Sequence, residues 1–403
     1  MPSRPLHAVL LPGPALLTTL SAAIDGTGPA ILPLDRNLPA SRLREVLAAF
    51  APTAVVTAEG VDRLASGTGV DDDVAVVLTT SGSTGTPKGA EISADALLAS
   101  ARASLARIGA LTPAGRWLCC LPTHHISGLG VLVRSLVSGV TPVFADRINA
   151  ELVTTAPCGY VSMVPTQLRR LLDAGAPLKR FDVVLLGGAA TPADLLDAAA
   201  AAGARVVTTY GMTETCGGCV YDGVPLDGVR VATDAAGLIR IGGPVLFSGY
   251  RLAPDLTRAS IDDGWFVTSD LGEVAADGSV SLRGRADDVI NTGGEKVVPS
   301  RVEAVLRDLE AVSDAAVVGA PDSEWGERVI AIVVPANPAD PPSPAMLRTE
   351  LSCALPRYAV PKAFLWIDEI PMLASGKPDR LKLRMIAAEL SVCDAPGGAG
   401  KQS

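Results

Sequence analysis

The stretch Thr79 to Gly89 reads T-T-S-G-S-T-G-T-P-K-G. Gly82 and Gly85 free the backbone for positive φ angles, and Thr80, Ser81, Ser83 and Thr84 crowd hydroxyl donors beside them. Lys88 adds a mobile point charge that can follow phosphate oxygens. Such a set suits an oligophosphate. It is not the G-x-x-x-x-G-K-[ST] loop, because Pro87 stands where its second glycine belongs and Gly89 replaces the magnesium-binding hydroxyl. A surface linker is the bland reading of the same residues. The buried-type strand Val74 to Leu78 in front and the lysine behind favour a phosphate loop.

Further along, Gly187-Gly188-Ala189 and Tyr210-Gly211-Met212-Thr213-Glu214 each follow a short apolar run. Small residues let a flat ring approach the backbone, Tyr210 offers a stacking face, and Glu214 is a hard oxygen ligand for Mg²⁺. Together with a phosphate loop these are parts of an ATP site. Asp270 suits ribose hydroxyls, or caps its own turn. His124 and His125 lack metal-ligand spacing, but they follow a strand's C-terminal end, where open α/β sheets bind ligands. Arg134 lies nine residues past His125 in an apolar helix, so it needs either a protein carboxylate or an anionic substrate. Lys377, alone on a Gly-flanked turn, reads as a solvated side chain.

Positioning these groups calls for an alternation of strands and helices. Strands are expected at 30–35, 54–57, 74–78, 117–121, 160–164, 183–186 and 206–209, and helices at 40–50, 94–108 and from about 129 to 136. This rhythm predicts an α/β fold with mainly parallel sheets. From Gly237 the pattern turns to β-type alternation, and Gly284 to Asp288 reads as a boundary. The expected organisation is therefore a large α/β domain at 1–285 with a β-rich subdomain, a small mobile α+β domain at 286–392, and a disordered tail at 393–403.

The 403 residues are 48% hydrophobic and carry a net charge of -9, which excludes wholesale disorder. Without a Lys/Arg block, neither nucleic acid nor an anionic membrane is an expected partner. The apolar stretch after Arg4 is interrupted at Pro12-Gly13-Pro14, so a cytoplasmic protein without stable membrane insertion is expected. The seven cysteines lack disulfide spacing, and Cys216 and Cys219 form a lone C-x-x-C, which argues against structural zinc.

Taken in order, Thr80 to Gly89, Tyr210 to Glu214, Ser269-Asp270, Gly284 to Asp287 and Ser375-Gly376-Lys377 resemble the motifs of the AMP-forming adenylating superfamily. This superfamily comprises acyl- and aryl-CoA ligases, luciferases and peptide-synthetase adenylation domains. The resemblance spans roughly Pro29 to Arg384. It implies ATP, Mg²⁺ and coenzyme A as ligands and a carboxylic acid as substrate. Thr80 to Gly85 and Lys88 would hold the β and γ phosphates, and Gly187, Gly188, Ala189, Tyr210 and Gly211 the adenine. Thr213 would contact the α-phosphate, Glu214 would carry Mg²⁺, and Asp270 with Arg285 would bind ribose. Lys377 would be the catalytic lysine of the small domain, Asp287 its hinge, and Gly293-Gly294 would serve coenzyme A after the domain turns.

Within the superfamily, Leu121 to Leu129, Val164 to Leu168 and Glu214 to Gly218 are most similar to the o-succinylbenzoate:CoA ligases of menaquinone biosynthesis. That likeness implies a catalytic and acid-binding role for His125, and a meeting of Arg134 with the substrate's second carboxylate. Another aryl- or acyl-CoA ligase, or an enzyme loading a carrier-protein thiol, fits the same motifs. A non-catalytic nucleotide-binding relative fits less well, since Lys377 and the glycine pair would have no use. The phosphate loop begins at residue 79, earlier than in most relatives, so part of an acid-pocket wall or of a homodimer surface is expected to be missing.

Overall fold

A computed structural model describes residues 4–80, 88–111, 115–373 and 378–393. The chain divides into two compact units. The first comprises 1–234, 239–268 and 274–280, and the second 235–238, 269–273 and 281–403.

The first unit holds two seven-stranded sheets. In one, the strands Val74–Thr80, Ala30–Pro33, Leu6–Val9 and Ala54–Thr57 run parallel in that spatial order. Antiparallel strands flank them: Lys88–Ser93 then Gly249–Tyr250 on one side, and Gly60–Arg63 on the other. In the second sheet, Val206–Met212, Val183–Leu186, Cys158–Met163, Arg116–Cys119 and Val143–Phe144 are parallel neighbours. Gly217–Tyr221 adds an antiparallel strand beside Val206–Met212.

The helices Gly13–Ile24, Ala94–Ile108 and Ile126–Ser138 contribute Leu16, Leu20, Leu97, Leu105, Leu129 and Leu132 to one buried core with residues of both sheets. Strands covered on both faces are apolar throughout, and Val74 to Leu78 are all fully buried. Pro12 and Pro14 start the first helix rather than interrupt an apolar segment, as proline tolerates a helix's first turn. Among the described residues, no helix is long and apolar enough to cross a membrane.

In the second unit, Glu295–Val297, Ile290–Thr292, Gly326–Pro335 and Val312–Asp322 form a sheet, with Ala363–Trp366 parallel to Gly326–Pro335. Its side chains alternate between two cores. Ala315 and Val317 pack with the helices Pro299–Arg307 and Pro344–Ala354, while Ala316 and Val318 pack with Leu383 and Ala387 of the helix Arg380–Cys393. The architecture is thus α/β with parallel sheets in the larger unit and α+β in the smaller. The tail 394–403, the loop 81–87 and residues 374–377 lie outside the described residues.

Candidate active site

The expected phosphate loop falls between two paired strands. Val74–Thr80 and Lys88–Ser93 pair antiparallel, and Thr80 lies opposite Lys88, so the hydroxyl and the lysine at the loop's two ends are cross-strand neighbours. The sequence reading missed the strand after the loop, because its glycine and its polar residues blur the alternation. Ser81, Gly82, Ser83, Thr84 and Gly85 fall outside the described residues.

The next strand over, Gly249–Tyr250, pairs with Lys88–Ser93 and places Tyr250 opposite Ala90. The Lys88 ammonium lies 5.7 Å from the centroid of the Tyr250 ring. The Tyr250 hydroxyl donates to Glu214 Oε1 at 2.8 Å. Burial, and then the charge of Glu214, push that hydroxyl far above its ordinary pKa, so it remains a neutral donor. Tyr250 thus connects the expected phosphate lysine to the expected magnesium carboxylate, a link that the sequence reading did not find.

Glu214 sits on a short 3₁₀ turn, Thr213–Thr215, which also carries Thr213. Thr215 Oγ1 accepts from the Met212 N–H at 2.9 Å and lies 2.8 Å from the Gly217 carbonyl, while Cys216 takes a left-handed conformation, φ 54°, to turn the chain back. Glu214 is only 9% exposed, and among the described residues no Lys, Arg or His nitrogen lies within ion-pair reach of it. A buried carboxylate held by one neutral hydroxyl is short of positive charge, which fits a cation. Among the described residues no group of three or more His, Cys, Asp or Glu could hold a metal alone. Oxygen ligands for Mg²⁺ would therefore come largely from phosphates and water, as is usual for that ion.

Tyr210, Gly211 and Met212 belong to the strand Val206–Met212, not to the loop that the sequence suggested. They pair with Gly217–Tyr221 through a register shift between Tyr210 and Gly211. A Cβ on Gly211 would collide with the Gly217 carbonyl, so the hairpin closes only over glycine. One strand over, Leu186 is in register with Thr208, which sets Gly187, Gly188 and Ala189 beside Tyr210 at the C-terminal ends of parallel strands. Gly188 has φ 88°, and a Cβ on Gly187 would collide with Thr209 Oγ1. Tyr210 and Ala189 are half-buried.

His125 is the N-cap residue of the helix Ile126–Ser138, and its ring lies 4.4 Å from that of His124. Burial lowers the His124 pKa, with Asp35 opposing the shift. Arg134 stands about two and a half helical turns further on. Its guanidinium stacks 4.4 Å over the Trp117 ring, and Nη2 donates to Ser162 Oγ at 3.0 Å. Its Nε is buried without a partner, and among the described residues no carboxylate pairs with it. Burial lowers its pKa. A cavity of about 10 Å³, room for roughly one water, adjoins it beside Leu97, Ser100 and Cys216. Of the two partners that the sequence left open for Arg134, the protein carboxylate is not found among the described residues. Ser162, a polar residue in an otherwise apolar strand, was the signal for its neighbour.

In the second unit one guanidinium gathers the expected ribose and hinge residues. Arg285 Nη1 reaches Asp270 Oδ1 at 3.1 Å, and Nη2 reaches Asp287 Oδ2 at 3.0 Å. Burial would lower the Arg285 pKa, but Asp270, Asp287 and Asp288 outweigh it and raise it. Gly293 and Gly294, at φ 59° and 85°, form the two-residue turn between Ile290–Thr292 and Glu295–Val297. The Gly293 N–H donates to the Trp325 carbonyl at 2.8 Å. Lys377 lies outside the described residues; the chain on either side of it forms an isolated bridge between Met372 and Pro378.

Comparison with known proteins gives the family. Residues 67–259 match the family described as AMP-binding enzyme, and residues 301–377 match the AMP-binding enzyme C-terminal domain. A probable 2-succinylbenzoate–CoA ligase of Mycobacterium tuberculosis is 45% identical over 337 residues, covering 79% of this chain and 86% of its own. The o-succinylbenzoate CoA synthetase of Bacillus subtilis, solved with the acyl-adenylate intermediate OSB-AMP, superposes with a TM-score of 0.82 at 27% identity over 94% of this chain and 88% of its own. The same synthetase with ATP and magnesium ion gives a TM-score of 0.82 at 27% identity, over 94% of this chain and 89% of its own. On the strength of these matches, the chain belongs to the AMP-binding enzyme family, the AMP-forming adenylating enzymes.

Proposed function

We propose that this protein is an o-succinylbenzoate–CoA ligase of menaquinone biosynthesis, acting in the cytoplasm. It would convert o-succinylbenzoate, ATP and coenzyme A into o-succinylbenzoyl-CoA, AMP and pyrophosphate. The observation that carries the reading is the joining of Lys88, Tyr250 and Glu214 into one contiguous group, in a chain 45% identical to a probable ligase of that kind.

In the first half-reaction a carboxylate oxygen attacks the α-phosphorus, and the bond to pyrophosphate breaks. Lys88 and the hydroxyls around Thr80 hold the departing phosphates, Thr213 faces the α-phosphate, and Glu214 holds Mg²⁺, which when bound neutralises phosphate charge. Gly187, Gly188, Ala189 and Tyr210 flank the adenine, and Asp270 with Arg285 takes the ribose. Arg134 takes the second carboxylate of the acid, the anion that a buried guanidinium with no carboxylate partner among the described residues calls for. His125 faces the reacting carboxylate.

In the second half-reaction the thiol of coenzyme A attacks the acyl carbon, and AMP leaves. Gly293 and Gly294 serve this step and Lys377 the first, with Asp287 as the hinge between them.

Pyrophosphate release, measured over a panel of acids with and without coenzyme A, tests the proposal. Release with o-succinylbenzoate and formation of its thioester are expected. Release with benzoate or fatty acids alone would refute the substrate, and no release with any acid would refute the enzyme.

A further inference from the structure

The hairpin of Thr80 and Lys88 lies next to the edge strand Gly249–Tyr250 of the first sheet, and Glu214 follows a strand of the second. Something must fix the distance between them, because phosphates held by one must meet a cation held by the other. The segment Phe247 to Tyr250 grips Glu214 at two points: the Phe247 N–H donates to the Glu214 carbonyl at 2.9 Å, and the Tyr250 hydroxyl to its Oε1 at 2.8 Å. The same segment is built into the first sheet, with Gly249 opposite Glu91 and Tyr250 opposite Ala90, two residues from Lys88. The Tyr250 ring is itself fixed, edge-on to Phe247 at 4.9 Å, and its N–H donates to Thr257 Oγ1 at 2.8 Å.

We infer that Tyr250 is a positioning residue for the metal site. Its hydroxyl occupies Oε1 of Glu214 and aims the other carboxylate oxygen at a divalent cation, while its ring sets the place of Lys88. A core tyrosine packed edge-on to Phe247, which in turn meets Phe266, would explain the ring. It does not explain why the hydroxyl spends its bond on a buried carboxylate that has no cationic partner among the described residues. Hydrogen-bond partners of metal-ligating carboxylates typically account for 10- to 100-fold in metal affinity.

The inference rests on the metal role given to Glu214 above, and its test needs no acid substrate. Tyr250→Phe keeps the ring and deletes the hydroxyl. Mn²⁺ binding to the full-length protein saturated with a non-hydrolysable ATP analogue would be followed by electron paramagnetic resonance, and analogue binding without metal by calorimetry. The expected result is a roughly 10-fold weaker Mn²⁺ affinity with metal-free analogue binding unchanged. In a Glu214→Gln background, Tyr250→Phe should then have no further effect. Unchanged or tighter Mn²⁺ binding would overturn the inference. So would an equal loss of metal-free analogue binding, or a loss that persists beside Glu214→Gln. A wild-type protein that binds Mn²⁺ with the analogue but ignores o-succinylbenzoate would refute the substrate and leave Tyr250 untouched.

Discussion

Arg134 is a charge in a place that does not ordinarily tolerate one: stacked on Trp117, bonded to one serine hydroxyl, and without a carboxylate partner among the described residues. Its chemistry was legible in the sequence, since an arginine inside an apolar helix demands an anion, but its actual neighbours come from two other strands and could not be read from spacing. If the anion is the substrate, Arg134→Met should raise KM for o-succinylbenzoate about 10- to 100-fold, the loss of a charged hydrogen bond worth about 1.5–3 kcal/mol. Thermal stability should hold or rise, because an unpaired buried charge is replaced by an apolar side chain of similar length. An unchanged KM would return Arg134 to packing. Histidine gives a second test at this scale. Burial lowers the pKa of His124 despite Asp35, and burial with Arg63 lowers that of His7, from the ordinary 6.5. Below that value the unfolded chain binds more protons than the folded one, so this stability is present above pH 6.5 and is lost as pH falls toward the depressed folded values. Each group is limited to about 1.4 kcal/mol per pH unit, less for partial exposure. Urea unfolding at pH 7.5 and 5.5 should show a smaller acid loss in the His7→Gln/His124→Gln double variant than in the wild type. Tyr250 marks the limit of reading at this scale: nothing within Gly249-Tyr250 names a glutamate 36 residues away as its partner.

Single elements were legible where the local signals agree. The helices Ala40–Phe50 and Ala94–Ile108 have the predicted bounds, the second because Ser93 caps its N-terminus, Asp95 lies in its first turn and Gly109 ends it at φ 75°. The short strands Leu6–Val9 and Lys88–Ser93 were not, since four to six residues with little alternation gain their identity only from neighbours. The helix Arg380–Cys393 was missed as well, because among its described side chains Leu383 and Ala387 alone are fully buried. Two glycines test what the hairpins require. Gly211→Ala forces a Cβ onto the Gly217 carbonyl, so it should cost about 1–3 kcal/mol in chemical denaturation and lower pyrophosphate release as Tyr210 shifts. Wild-type stability in this variant would show that the hairpin can widen. Gly293→Ala meets the Trp325 ring at 2.5 Å and must hold φ 59°, but that ring is 40% exposed and can yield. Its stability cost should stay near 1 kcal/mol. On the proposed division of labour it should slow thioester formation several-fold with pyrophosphate release preserved, and equal slowing of both steps would separate the turn from coenzyme A.

Across the whole molecule, five motifs that are weak singly became informative by their order along 403 residues, and their order is a property of the sequence alone. What order does not give is the grouping in space. The second compact unit takes 235–238 and 269–273 along with everything after 280, so Asp270 shares a unit with Arg285 and Asp287 although it precedes them among strands of the β-rich stretch. Pairing across a sheet, unlike periodicity, has no fixed separation in the chain. On the proposed mechanism the two half-reactions would make opposite demands on the catalytic lysine: the first would need a cation at the α-phosphate as pyrophosphate leaves, and the second would need that position open to a thiol. On that mechanism, Lys377 is the residue on which the two demands would diverge. Lys377→Ala should lower pyrophosphate release from o-succinylbenzoate and ATP by 10²-fold or more, about 2.7–4 kcal/mol of lost charge stabilisation. The same variant, given synthetic o-succinylbenzoyl-AMP and coenzyme A, should form thioester within about two-fold of the wild-type rate, because no interaction of Lys377 is assigned to that step. Equal loss in both assays would mean that the lysine holds one arrangement common to both reactions, and the hinge role of Asp287 would fall with it.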